Sequence, residues 1–402
     1  MSLENIVIVG GGLAGSHVSM ALRDRGYRGA LTLVGAEPHP PYDRPPLTKS
    51  VLLGGEDAED GTSFPVDWEG LSVGLRLGER AEALDLHDHK PGGVLRTTAG
   101  TRGFDGLVLA TGAEPVRLPG EGRQHVVRTV DDVRALRPLL RPGTHVALVG
   151  AGWIGAEVAT VAAVKGCRVT VVESARAPLA AAVGNRVGAW TAPWYAAAGV
   201  TLLCGTAVAS VDHGGLRLAD GRFLDADVVV TGIGARPAVG WLRDSGLEVA
   251  RGVVVDRSLR ASRAGVVALG DCAAWWSDRY GRHMVVEHWD TALKASGPAA
   301  AALLGEDVCH DPLPYFWSEQ FGRTLQYVGD RHGADRTILR GSPQDPDWTV
   351  LWLEGELLRA ALTVDRPRDL VQARRALTTG CAVDLPRATD PSTPLRDALR
   401  AA

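Results

Sequence analysis

The chain is poor in cysteine. Its 402 residues include five, Cys167, Cys204, Cys272, Cys309 and Cys381, with no CxxC pair and none before position 167. An odd, scattered set of this kind argues against a disulfide framework and against a structural zinc site, so no metal is expected. Long hydrophobic runs are also missing. None approaches the roughly 18 residues that would cross a bilayer, and no membrane insertion is expected. Basic residues are not in excess, since 43 Lys and Arg face 47 Asp and Glu for a formal net charge of −4. A nucleic-acid binder would normally carry the opposite imbalance. The N-terminus runs directly into apolar Ile6-Val7-Ile8-Val9 with no basic leader, so the expected location is cytoplasmic.

What the chain has in quantity is glycine, 49 residues gathered into short motifs rather than spread as low complexity. The first motif, Gly10-Gly11-Gly12-Leu13-Ala14-Gly15, follows the apolar run 6–9 and precedes a helical stretch through Leu22 that Gly26 closes. Leu31-Thr32-Leu33-Val34 reads as the next strand, and Glu37 lies 22 residues beyond Gly15. The same grammar returns 140 residues later. Val146–Val149 leads into Gly150-Ala151-Gly152-Trp153-Ile154-Gly155, a helix follows to about Val164, and Val169–Val172 ends at Glu173. Each unit has a further apolar strand ending in Thr-Gly: Val108-Leu109-Ala110-Thr111-Gly112 and Val228–Thr231 with Gly232. Val266–Leu269 ends in Gly270-Asp271.

In a GxGxxG turn the first glycine permits a tight bend, the second lets backbone N–H groups approach a pyrophosphate, and the third lets helix pack on strand. The helix N-terminus adds partial positive charge against the phosphates, and an acid at the tip of the second strand takes the adenosine ribose. One such motif is a weak signal, but two complete copies with their strands, helices and acids point to two bound dinucleotides. Glu173 would repel a 2′-phosphate and so favours NAD(H), with Arg176 as the residue that keeps NADP(H) open. After Pro312 and Pro314 the glycine fingerprints stop and the texture becomes α+β, with a hairpin over 348–364 turning at Glu354-Gly355-Glu356 and a helix over 369–378.

The order of motifs resembles the FAD-dependent ferredoxin reductases that serve oxygenases and cytochromes P450, as in putidaredoxin and rubredoxin reductases. The segments that carry the likeness are GGGLAG at 10–15, PYDRPPLTK at 41–49, ATGAEP at 110–115, RTVDD at 128–132, GAGWIGAEVA at 150–159, GIGARP at 232–237, LGDCA at 269–273, EHWDTA at 287–292, PYFWSEQ at 314–320 and DRPRDLVQARRAL at 365–377. The resemblance implies a glutathione-reductase-like α/β fold with two Rossmann-type dinucleotide-binding domains and a small α+β C-terminal domain. The implied boundaries are 1–117 and 246–314 for a two-part FAD domain, 118–245 for an inserted NADH domain and 315–402 for the cap.

Carried over residue by residue, the resemblance assigns FAD to Gly10, Gly12, Leu13, Ala14, Gly15, Glu37, Arg44, Lys49, Ala81, Ala110, Thr111, Gly112, Arg128, Gly270, Asp271, Glu287, His288, Trp289, Ala292 and Trp317. NADH falls to Gly150, Gly152, Trp153, Ile154, Gly155, Glu157, Glu173 and Gly232. Lys49 would reach the reactive edge of the flavin, Glu157 would pair with it on the nicotinamide side, and Trp317 would stand on the acceptor side. These three are the candidate catalytic residues. Thr48 stands where the family usually has Ser, and Tyr195-Ala196 replaces a familiar basic pair. Thiol- and peroxide-reducing relatives keep cysteines beside the flavin, and this chain has none there. The implied partner is therefore a ferredoxin-type iron–sulfur protein, and the chain would work as a monomer or homodimer. Two other readings stay open: an NADH-dependent flavoenzyme acting on oxygen, quinone or a small organic substrate, and an NADH-sensing interaction protein of the apoptosis-inducing-factor kind.

Overall fold

Both fingerprint turns lie where parallel strands end. The computed structural model describes residues 3–54 and 62–400, and the chain forms two compact units. The first unit takes residues 1–43, 59–114 and 235–312. Its centre is a five-stranded parallel sheet in the order Val266–Ala268, Gly106–Leu109, Asn5–Val9, Ala30–Gly35, Val73–Leu77. Ile6, Ile8, Leu33, Leu107 and Val108 are completely buried, as expected of strands covered on both faces. The helix Leu13–Asp24 packs beside the helix Trp289–Leu303. Antiparallel ribbons over Ala81–Phe104 and over Ala273–Met284 complete the unit.

The second unit takes residues 44–58, 115–234 and 313–402. It repeats the parallel theme with Thr201–Cys204, Arg168–Glu173, His145–Val149 and Val228–Thr231 in that order. The fingerprint helix here runs Trp153–Val164, starting directly after Gly152. It begins three residues earlier than the apolar pattern suggests, because the turn itself supplies the first helical residues.

The C-terminal segment of this unit is a larger sheet than its hairpin alone predicts. Tyr315–Gln320, Arg323–Gly329, Leu357–Val364, Trp348–Glu354 and Arg336–Gly341 pair antiparallel in that order, and the helix Pro367–Thr379 packs on it. Three of these strands escape a reading by apolar alternation because Gln, Arg and Thr interrupt it. The tryptophans find their place in this unit. Trp190 and Trp194 lie 5.9 and 6.3 Å from Trp348, and Tyr195 lies 4.6 Å from Phe321. The guanidinium of Arg323 sits 4.8 Å over Trp194. Tyr195-Ala196, in place of the basic pair, thus belongs to an aromatic seam between the parallel-sheet part and the C-terminal sheet. Pro193 falls in the first turn of the helix Ala192–Ala197, where it costs no hydrogen bond.

The candidate dinucleotide sites and the Lys49–Glu157 pair

In the first unit, Gly10 ends its strand at φ +125°, and a Cβ there would come within 2.0 Å of the Ala110 carbonyl. A Cβ on Gly15 would meet the Gly10 carbonyl at 1.9 Å. Gly12 is different, since a Cβ on it would meet nothing within 4 Å. The helix that starts there has no side-chain cap and no acid in its first turn. Open space in front of a bare helix N-terminus is what a pyrophosphate requires. The strand ends beside it bring Ala110, Thr111, Gly112, Gly270 and Asp271 to the same carboxyl edge of the sheet, where open α/β folds bind ligands. Thr111 is fixed by donating to the Ala238 carbonyl at 2.9 Å. Beyond the next strand, Glu37 accepts from the Tyr42 hydroxyl at 2.5 Å.

Residues of distant motifs also meet here. The Trp289 indole N–H donates to Asp43 at 2.7 Å, linking EHWDTA to PYDRPPLTK. Trp289 opens its helix, with His288 Nδ1 accepting from the Asp290 N–H as the cap. Glu287 and Ala292 flank that start, and Ala81 begins the ribbon strand Ala81–Leu86.

The second unit repeats the cradle. Cβ atoms on Gly150 and Gly155 would meet the carbonyls of Gly232 and Gly150 at 2.5 and 2.0 Å, while Gly152 opens on nothing within 4 Å. The helix behind it is again uncapped and free of acid in its first turn. Glu173 does more than wait at the strand end. One of its oxygens accepts from the Ala151 N–H and the other from the Ala175 N–H, both at 2.7 Å, so it also holds the turn. Trp153 packs against Phe316 with ring centres 4.6 Å apart and the planes tilted by 31°, and Ile154 is exposed. The residues present fit two dinucleotides, one for each cradle.

Arg44, Lys49, Arg128 and Trp317 belong to this second unit. Arg44 donates to the Arg128 carbonyl at 2.5 Å. Arg128 precedes a reciprocal cap in which Thr129 and Asp132 satisfy each other's backbone N–H groups. Much of the RTVDD motif is thereby a helix start. Trp317 stacks on Tyr315 with ring centres 6.0 Å apart.

The densest chemistry surrounds Glu157, which is only 4% exposed. Its Oε2 accepts from Lys49 Nζ at 2.8 Å and from the Thr48 hydroxyl. Its Oε1 accepts from the Ser318 hydroxyl at 2.7 Å and from the Glu319 N–H at 3.2 Å. A buried carboxylate with one cation and three further donors is fully satisfied, so the charge can stay in a place that would otherwise expel it. Pro45 and Pro46 start the short helical turn Pro45–Thr48 that delivers Thr48 and Lys49. Thr48 keeps the hydroxyl of the more usual Ser and uses it here. Ser318 and the Glu319 N–H went unnoticed in the sequence; the only available signal was their place inside PYFWSEQ.

All five cysteines are free thiols. Burial pushes the thiols of Cys167, Cys204 and Cys272 above their usual range, which makes them poor nucleophiles. Among the described residues no group of three or more His, Cys, Asp and Glu is arranged to hold a metal ion, and no helix is long and apolar enough to cross a membrane.

Comparison with known proteins agrees with this geometry. Residues 4–296 match the pyridine nucleotide-disulphide oxidoreductase family and residues 315–399 match the reductase C-terminal domain. The ferredoxin–NAD(+) reductase component of the p-cumate 2,3-dioxygenase system of Pseudomonas putida is 35% identical over 98% of each chain. Putidaredoxin reductase of Pseudomonas putida is 32% identical over 99% of this chain and 97% of its own. Among solved structures, Fdr9 superposes with a TM-score of 0.92 at 48% identity over 98% of this chain and 99% of its own. The reductase of the covalent putidaredoxin reductase–putidaredoxin complex superposes with a TM-score of 0.91 at 31% identity, over 98% of this chain and 97% of its own. Two glycine cradles and a C-terminal antiparallel sheet are thus accounted for together: the chain belongs to the pyridine nucleotide-disulphide oxidoreductase family, in the form that ends in a reductase C-terminal domain.

Proposed function

We propose that this chain is an FAD-dependent NADH:ferredoxin reductase that passes electrons to an iron–sulfur protein serving an oxygenase or a cytochrome P450. The observation that carries this reading is the duplicated cradle without a redox-active thiol pair: two dinucleotides can be held, and no protein disulfide stands ready to take the electrons. When held by these residues, FAD would supply the conversion from a two-electron nicotinamide donor to the one-electron steps an iron–sulfur acceptor needs. The chain's own residues bind and orient. The turn 10–15, Glu37, Ala81, Ala110–Gly112, Gly270, Asp271, Glu287–Trp289 and Ala292 are assigned to FAD, and the resemblance adds Arg44, Lys49, Arg128 and Trp317 to that assignment. The turn 150–155, Glu157, Glu173 and Gly232 are assigned to NADH. Lys49, fixed by Glu157 and by the Pro45 carbonyl at 3.3 Å, supplies a positioned positive charge. In this reading the chain divides into a two-part FAD domain over 1–117 and 246–314, an NADH domain over 118–245 and a C-terminal domain over 315–402, and a cytoplasmic location suits five unpaired thiols.

NADH is the preferred donor in this reading. A 2′-phosphate would be brought against the Glu173 carboxylate, already held at the strand end by two N–H groups. Replacing Glu173 by Ala should lower kcat/KM for NADH about ten- to one-hundredfold, the cost of hydrogen bonds to a charged group, and narrow the NADH/NADPH ratio. Steady-state kinetics with both nucleotides checks this, and an unchanged ratio would refute it. The function itself is tested by whether the FAD-loaded protein reduces a [2Fe–2S] ferredoxin with NADH.

A further inference from the structure

The strand Tyr315–Gln320 and the residue that follows it run along the fingerprint helix Trp153–Val164. Phe316 packs against Trp153 with the rings tilted by 31°, Ser318 and the Glu319 N–H donate to Glu157, and the Phe321 N–H donates to the Thr160 hydroxyl at 3.0 Å. Positions 153, 157 and 160 share one face of a helix, and 316, 318 and 320 share one face of a strand. The contact is therefore a register between two regular elements rather than a chance pairing. Ser318 is completely buried. The Gln320 amide donates to its oxygen at 3.0 Å. A carboxylate can only accept, so with that lone pair engaged the Ser318 proton goes to Glu157 Oε1.

We propose that Ser318 is a positioning residue for hydride transfer: oriented by Gln320, it holds Glu157 Oε1 so that Oε2 is committed to Lys49 and Thr48. The consequence is a division of labour along one strand. Its helix-facing residues Phe316, Ser318 and Gln320 set the geometry of the donor-side ion pair, while Trp317 lies on the other face with Tyr315. The C-terminal sheet thus contributes to the NADH half-reaction as well as to whatever it does for the acceptor. Without the Ser318 hydroxyl, Oε1 keeps only the longer Glu319 N–H bond, so the carboxylate is held less tightly and the Lys49 ammonium, still bonded to the Pro45 carbonyl, is directed less sharply. Ser318 touches neither cofactor in this account; it acts through Glu157.

The inference rests on the functional reading above, and its test separates the two. Wild type, Ser318→Ala, Ser318→Thr and Gln320→Met are loaded with FAD, and three quantities are measured: the NAD⁺ dissociation constant by calorimetry, the thermal midpoint, and the rate of NADH-driven flavin bleaching at saturating NADH. The expected result is a bleaching rate about tenfold lower in Ser318→Ala, the factor that one hydrogen bond to a charged group supplies. Ser318→Thr should recover most of that rate because it restores the hydroxyl, and Gln320→Met should fall between. The NAD⁺ dissociation constant should change by less than about threefold, so that the loss appears in kcat rather than KM. A Ser318→Ala protein that bleaches at the wild-type rate overturns the proposal, whatever its thermal midpoint. So does a Ser318→Thr protein as slow as the alanine variant, since then packing and not the hydroxyl matters. If wild type itself neither binds NAD⁺ nor bleaches with NADH, the functional reading falls first and this role falls with it.

Discussion

Glu157→Ala reduces NADH-driven flavin bleaching by at least about one hundredfold, the scale on which misplacement of a positioned group by an ångström is felt. The same change lowers stability by about 3 kcal/mol, at the low end of what breaking a buried ion pair costs. The low end applies because the Lys49 side chain keeps 21% of its exposure and can recruit water. Four donors converge on this one carboxylate, so its removal leaves Thr48, Lys49, Ser318 and the Glu319 N–H without their acceptor at once. Ser318→Ala removes one of the four and should be milder by an order of magnitude. Glu157→Gln is the informative control. It keeps the shape, but its amide nitrogen must point at donors on one side or the other. Stopped-flow bleaching at saturating NADH and denaturant melts measure the two effects separately. A Glu157→Ala protein that reduces its flavin at the wild-type rate would mean that the ion pair only holds the two segments together.

Arg340→Ala should strongly destabilise the C-terminal sheet, by about 3–5 kcal/mol. The Arg340 side chain is 1% exposed and reaches out from the strand Arg336–Gly341 to the segment that closes the chain. It donates to the carbonyls of Ala388 and Thr393 at 2.6 and 2.7 Å, with longer bonds to Asp390 and Arg387. It also pairs with Asp369 at 3.4 Å, and Asp369 accepts from Thr349 at 2.9 Å. Alanine would strip those carbonyls of a buried donor, leave Asp369 with Thr349 and the more distant Arg366 as partners, and open a cavity as well. Arg340→Lys keeps the charge but not the planar fork, and should lose a part of the same amount. Urea melts and the rate of proteolysis within 385–400 read the effect. A loss below about 1 kcal/mol would show that the closing segment holds by apolar packing alone.

These two residues mark where sequence reading stops. The parallel sheets, their fingerprint helices and the acids at their strand tips are legible because each follows from a local rule. Four apolar residues make a buried strand, glycine must bend where a Cβ would strike a carbonyl, and the helix begins at once. Lys49 and Glu157, 108 positions apart, could be paired on paper only through motif resemblance. Their other partners could not, because nothing local distinguishes the Ser318 hydroxyl from that of any strand serine. Arg340 was silent for the opposite reason: a lone arginine in a strand reads as a solvated side chain, and its burial depends on carbonyls some fifty residues onward. Two motifs turned out to be partly scaffolding. RTVDD is largely a capping box, and DRPRDL sets a proline at the start of a helix and buries Asp369 against Arg340. The Trp-rich seam likewise required the tertiary structure, since Trp190, Trp194 and Trp348 have no periodicity in common.

The central claim is that electrons enter as a pair from NADH and leave singly to an iron–sulfur protein, without a protein thiol between. It is tested most directly by NADH-driven cytochrome c reduction with the FAD-loaded protein, in the presence and absence of several [2Fe–2S] ferredoxins. The account predicts a large ferredoxin-dependent rise that persists when all five cysteines are replaced by alanine. Rapid bleaching of the flavin by NADH with no rise for any of the ferredoxins would contradict it and move the chain to the NADH-oxidising or NADH-sensing readings.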